Sequence, residues 1–152
     1  MKQKIILWIG ALFLLMVGAG CEKEELKVED FTHLKCPLVP TIGAKGDIIG
    51  TWKLIQTISV VGTKENVAVF DTMDVSCKNV YYEFKKDKTL RVTGNVGNIP
   101  SGTYEYLYVE FNTCPLCLPA PNLSINKFDT TYYCIVEPYK MSIDKTIFMR
   151  IK

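Results

Sequence analysis

Between residues 79 and 93 the side chains change character with a period of two. Val80, Tyr82 and Phe84 share one side, Leu90 and Val92 continue it after Lys85-Lys86-Asp87-Lys88, and Glu83 and Arg91 fall opposite. Only an extended chain sends every second residue to the same face, so this stretch predicts a hairpin with one dry and one wet face. Tyr139, Met141 and Ile143 alternate with Lys140, Ser142 and Asp144 in the same way. The whole of 47–152 is rich in Val, Ile, Thr, Tyr and Phe and is cut into short runs by turn residues, without helical periodicity over any ten residues. Strands are expected at about 50–60, 67–72, 79–85, 89–93, 103–111, 122–125, 130–136, 139–143 and 146–151. The stretch 103–111 is apolar or aromatic on both faces, which leaves open whether Tyr104, Tyr106 and Tyr108 line an interior or lie outside.

Sequential antiparallel strands joined by short turns leave two open edges unless they close on themselves. The fold class predicted is therefore all-β, a small antiparallel meander β-barrel of about eight strands, with a β-sandwich as the alternative. The globular part covers 47–152, or 152 − 46 = 106 residues, enough for one domain. A barrel of about eight strands has an interior that side chains fill or that holds one small ligand.

The amino-terminal end is of another kind. Met1-Lys2-Gln3-Lys4 is basic, and Ile5 to Val17 is an apolar run without charge. Gly18-Ala19-Gly20-Cys21 and the charged Glu22-Lys23-Glu24-Glu25 follow at once. A run this short, ending in small residues, reads as an export signal, 1–20, rather than a spanning helix of about 20 residues. Its removal takes two lysines and no acid, leaving 18 − 2 = 16 basic against 16 acidic residues. The near-zero balance removes the case for a nucleic-acid partner. Residues 21–46, charged at first and then broken by Pro37, Pro40, Gly43 and Gly46, read as a flexible tether.

Val17-Gly18-Ala19-Gly20-Cys21 resembles a bacterial lipobox, with Gly18 where the usual pattern has Leu. The resemblance implies a diacylglycerol on the sulfur of Cys21 and hence a membrane partner through the lipid anchor. Glu22-Lys23-Glu24-Glu25 looks like the surface-export signal of Bacteroidetes-type lipoproteins, which implies an outer-membrane, cell-surface address. With Cys21 taken by lipid, Cys36, Cys77, Cys114, Cys117 and Cys134 remain. Five is odd, so at least one thiol is free or pairs between chains. Cys114-Pro115-Leu116-Cys117 has redox-motif spacing without the helix start that such a site needs. A structural bridge there, or one partner each for Cys36 and Cys77, is the expected use. No metal or cofactor is implied, since the single histidine, His33, lies in the tether and zinc needs a second ligand pair nearby.

Gly50-Thr51-Trp52-Lys53-Leu54 matches the Gly-x-Trp opening of lipocalins and related calycin barrels, and residues 47–152 are similar to the small lipocalin-like lipoproteins of Bacteroidetes. In that family a Cys-led strand turns through Asp-Gly-Thr, and Cys77 to Leu90 fits this with Lys88 in place of Gly. Phe148-Met149-Arg150 resembles the closing strand whose arginine stacks on the opening tryptophan. Gly50, Trp52 and Arg150 are thus expected to close the barrel, with Trp52 and Arg150 in contact.

Lipocalin resemblance implies a small hydrophobic ligand, with Tyr82, Phe84, Leu90, Val92 and Met141 as candidate lining residues. The alternative is a packed barrel that acts as a structural or interaction lipoprotein, meeting another protein or a glycan through its loops, above all 112–121. An enzyme is not expected: 47–152 contains no histidine, no Gly-rich phosphate loop and no paired-carboxylate motif, and Glu105 is the one carboxylate on a face that could point inward. Asp71-Thr72-Met73 and Asp129-Thr130-Thr131 resemble Bacteroidetes O-glycosylation acceptors, which makes Thr72 and Thr130 candidate glycan sites.

Overall fold

The computed structural model describes residues 31–97, 99–110 and 120–152. Among them are nine strands and no helix: β1 (Gly50–Lys64), β2 (Val67–Asp74), β3 (Tyr81–Phe84), β4 (Thr89–Thr93), β5 (Gly102–Val109), β6 (Asn122–Ile125), β7 (Thr131–Val136), β8 (Lys140–Ile143) and β9 (Thr146–Arg150). All neighbours pair antiparallel in the order β2-β1-β3-β4-β5-β6-β7-β8-β9, and β9 returns to pair with β1. The result is a closed eight-stranded barrel with β2 as an additional strand.

Closure depends on the length of β1. Its first half pairs with β3 through Gly50–Lys53 on one edge and with β9 through Trp52–Thr57 on the other. Its second half, from Gln56 to Lys64, pairs with β2 alone on the edge that β3 has left. Beyond the bond from Ile58 N–H to Lys145 O, β1 and β2 leave the barrel as a two-stranded arm. Glu65 and Asn66 turn it with φ of 52° and 63°, the positive pair that a two-residue hairpin of the right twist demands.

The expected alternation holds along the strands. Tyr82, Phe84, Leu90 and Val92 point inward, and Tyr81, Glu83, Arg91 and Thr93 do not. In β5 the ambiguity resolves to Tyr104 and Tyr106 inside, with Glu105 and Leu107 outside and Tyr108 half-buried. The β3–β4 turn bends through Lys88 at φ 63°, braced by Thr89 N–H donating to Asp87 Oδ1 at 3.0 Å. Lysine thus occupies a left-handed position that costs an L-residue about 1 kcal/mol.

One boundary differs from expectation. The folded domain reaches back to Phe31, so the tether predicted for 21–46 does not run to Asp47. Phe31 and Leu34 are buried on the outer flank of the barrel against Ile55, Tyr139 and Met149. Thr41 N–H donates to Arg150 O, Gly43 N–H to Pro138 O and Gly46 N–H to Val136 O. A Pro- and Gly-punctuated segment has no periodicity of its own, yet it can lie in irregular form along a formed strand and satisfy its amides there. Cys36 is bonded to Cys77, which staples this segment to the β2–β3 connection.

Candidate functional site

The end of the barrel at which β1 starts is closed by a stack of two residues. Trp52 and Arg150 are register partners on β1 and β9, and the guanidinium carbon lies 4.4 Å from the indole centroid. The expected contact is present. Trp52 Nε1 donates to Ile48 O at 2.8 Å. Arg150 Nη1 donates to Ile49 O at 2.9 Å, and Nη2 donates to Asp47 O. Burial pushes the Arg150 pKa down and the nearby Asp47 carboxylate opposes it, so the cation is held by carbonyl dipoles and a ring face rather than by an ion pair. Gly50 is needed here in a literal sense: at φ 141° a Cβ would lie 2.5 Å from Lys152 O.

Between the two ends lies the central cluster of buried side chains. The five residues expected to line a ligand, Tyr82, Phe84, Leu90, Val92 and Met141, are all buried in the central cluster. Their rings pack on one another: Tyr82 lies 4.6 Å from Phe148, and Phe84 meets Tyr106 edge-on at 5.0 Å. At the far end the β4–β5 connection folds over the mouth and inserts Ile99, 1 % exposed, into the same cluster. The backbone of Ile99 bonds the Tyr82 hydroxyl, while burial pushes the Tyr82 pKa well up. Phe128 packs against the same cluster, 5.4 Å from Tyr104. These contacts place the five residues in one buried cluster.

The remaining candidate chemistry is spread out. Glu105 is exposed and accepts a bond from Asn126 Nδ2 at 2.8 Å, so it does not face inward. Cys36 and Cys77 pair with each other rather than with Cys114 and Cys117, and the latter two, like Cys21, lie outside the described residues. Cys134 is free and buried, and burial pushes its thiol up to about 12. Thr72 and Thr130 are both exposed. Among the described residues no group of three His, Cys, Asp or Glu could hold a metal ion. A groove of about 230 Å³ on the outside, lined by Ile135, Glu137, Lys140, Ser142 and Ile147, is smaller than the roughly 300 Å³ at which ligand sites begin.

The conspicuous apolar surface is on the arm, which sequence reasoning did not single out. Val60, Val61, Val67, Phe70 and Met73 are each roughly half exposed or more. Cross-strand partners share a face, and the register sorts them. Thr57 pairs with inward Thr146, so Ile58, Val60, Phe70 and Thr72 carry the outward face and Thr57, Met73, Ser59 and Asp71 the opposite one. The signal was available in the run Val67-Ala68-Val69-Phe70, which is too apolar for a strand with a free edge. It could not be read as exposed without knowing that β1 outruns its barrel partners.

The comparisons with known proteins add one short likeness. A stretch of 25 residues is 76% identical to a protein of Tannerella forsythia described as "Putative lipoprotein". That stretch is 16% of this chain and 18% of the relative, so the likeness spans less than a fifth of either. No protein-family profile and no solved structure matches the chain.

Proposed function

We propose that this protein is a bacterial lipoprotein, tied to its membrane through Cys21, whose barrel is a rigid, non-enzymatic scaffold for surface interactions. The observation that carries the reading is the placement of apolar side chains. Those expected to hold a ligand are buried with Ile99 in one cluster, and a second apolar set stands outside on the β1–β2 arm. The lipobox-like Val17 to Cys21 and the likeness to a described lipoprotein support the anchor. Glu22-Lys23-Glu24-Glu25 supports an outer-membrane position with the domain on the cell surface.

A second reading, a small hydrophobic molecule inside the barrel, follows from the lipocalin resemblance. It requires the β4–β5 connection to swing Ile99 out of the mouth, and Gly94 and Gly97, at φ of 92° and 116°, give that connection two permissive joints.

Native mass spectrometry of protein extracted from its own host separates the two. The expected spectrum shows a diacylglycerol-modified Cys21 and no retained small molecule. A stoichiometric apolar ligand would overturn the scaffold reading in favour of the second. An unmodified Cys21 would remove the anchor. Proteolysis of intact cells tests the address: a surface domain is shaved, an inward-facing one is protected.

A further inference from the structure

The arm and the chain end that leads to Cys21 share one flank of the molecule. The outward face of β1 carries Ile55, which packs against Phe31 and Leu34, and the same face continues up the arm through Ile58 and Val60 to Phe70 on β2. Lys35 N–H donates to Asp74 Oδ2 at 2.6 Å at the foot of the arm, and the Cys36–Cys77 bridge fixes the segment there. From Cys21 to Phe31 there are 31 − 21 = 10 residues, which span at most about 35 Å when fully extended. The part of β1 beyond the barrel, Ser59–Lys64, is about 20 Å long by strand rise. A domain tied this closely holds the arm within reach of the bilayer that bears its anchor.

We infer that the outward face of the arm, built on Ile58, Val60 and Phe70, is a lipid-contacting surface that rests in the headgroup layer of that bilayer. This inference rests on the anchored reading of Cys21. The chemistry suits a shallow, flat contact. Lys64, Glu65 and Asn66 at the tip are polar, which opposes tip-first insertion, and the opposite face mixes Asp71 with Met73 and Val69, whereas the outward face carries no charge from Ile58 to Val60 and from Phe70 to Thr72. The open edges of the ribbon would be orphaned in the hydrocarbon core but stay hydrated among headgroups. The diacylglycerol on Cys21 carries two acyl chains and anchors stably, so contact through the arm would set the orientation of the domain on the bilayer.

The test uses the mature, lipidated chain in vesicles of phosphatidylethanolamine and phosphatidylglycerol. Trp52, the tryptophan of the barrel, is fully buried and serves as a constant background for two reporters. Phe70→Trp places an indole on the arm, and Leu107→Trp places one on β5, far around the barrel. With brominated lipid, Phe70→Trp is expected to be quenched at least twofold more than Leu107→Trp and to emit further to the blue. Equal quenching overturns the inference, as does a concentration-dependent dimer abolished by Phe70→Asp, which would make a second copy the occupant. A glycan on Thr72 also overturns it, because Thr72 shares the outward face. The same reporters in a Cys21→Ser chain separate this failure from failure of the anchor. If the arm meets lipid, the blue shift of Phe70→Trp persists as a weaker, lipid-titratable signal. If no lipid concentration produces a shift, the arm does not bind lipid, whatever the state of Cys21.

Discussion

The Arg150 guanidinium lies over the Trp52 indole, 4.4 Å from its centroid, and gives two of its donor groups to the carbonyls of Ile49 and Asp47. One residue therefore joins the last strand to the first and holds the entry segment across the barrel end. Arg150→Met keeps much of the stem volume but orphans both carbonyls and loses a cation–π contact. It is expected to cost about 3 kcal/mol, read as the shift in a urea unfolding midpoint. Arg150→Lys, which cannot span both carbonyls while stacking, should recover less than half of that loss.

The Cys36–Cys77 bridge closes a separation of 41 residues and pins the 31–46 segment to the barrel. By chain entropy a loop of that size contributes about 4 kcal/mol. A Cys36→Ser, Cys77→Ser double variant should lose about 2–4 kcal/mol and expose the 31–46 segment to protease before the barrel itself unfolds, which limited proteolysis with intact-mass detection would reveal.

Cys134 is fully buried, and burial, with Asp144 nearby, raises its thiol from the ordinary 9.0 to about 12. In the folded protein it should resist alkylation at pH 8 and react at once on denaturation. The same burial dictates an alkaline limit. Folded Cys134 and Tyr82 keep protons that the unfolded chain has already lost, so their contribution is complete below about pH 9 and falls as pH rises. Each titrating group removes about 1.4 kcal/mol per pH unit while only the unfolded form ionises. Thermal midpoints should drop steeply above pH 9, and Cys134→Ala should flatten the first part of that fall.

Lys88 holds a left-handed conformation at φ 63° on an exposed turn. Lys88→Gly removes the steric cost but frees the unfolded chain. The balance should raise stability by no more than about 0.5 kcal/mol, measured by chemical denaturation.

Ile99 plugs the barrel mouth as part of the packed core. Ile99→Ala should cost about 2–4 kcal/mol if the mouth stays closed around a cavity. It should also allow an apolar fluorescent dye to bind where the parent chain binds none, with bound fluorescence as the readout.

Much of this architecture is legible in the chain because it is local. Alternation at Val80-Tyr82-Phe84 and Leu90-Val92 reports which side of each strand is dry, since side-chain direction in a strand depends only on the pleat. Turn residues between runs mark where strands stop, and the all-β barrel follows from strand number and antiparallel order, while the meeting of Trp52 with Arg150 is what the resemblance of the first and last strands to lipocalin-like barrels implies. Four outcomes depend instead on relations across tens of residues. Cys36 reaches Cys77 because a segment without periodicity lies along strands already formed. Tyr82, Phe84, Leu90, Val92 and Met141 share one buried cluster with Ile99, which reaches them from a loop. The direction of Tyr104 and Tyr106, in a stretch apolar on both faces, is decided by which face of β5 the closing barrel turns inward. The arm exists because β1 is longer than the barrel is tall. Sequence by itself determines the pleat, the polarity of each face and the order of strands, because these are set by neighbours along the chain. Only closure of the barrel decides what is enclosed and what is left outside, because volume and edge pairing are properties of the whole sheet.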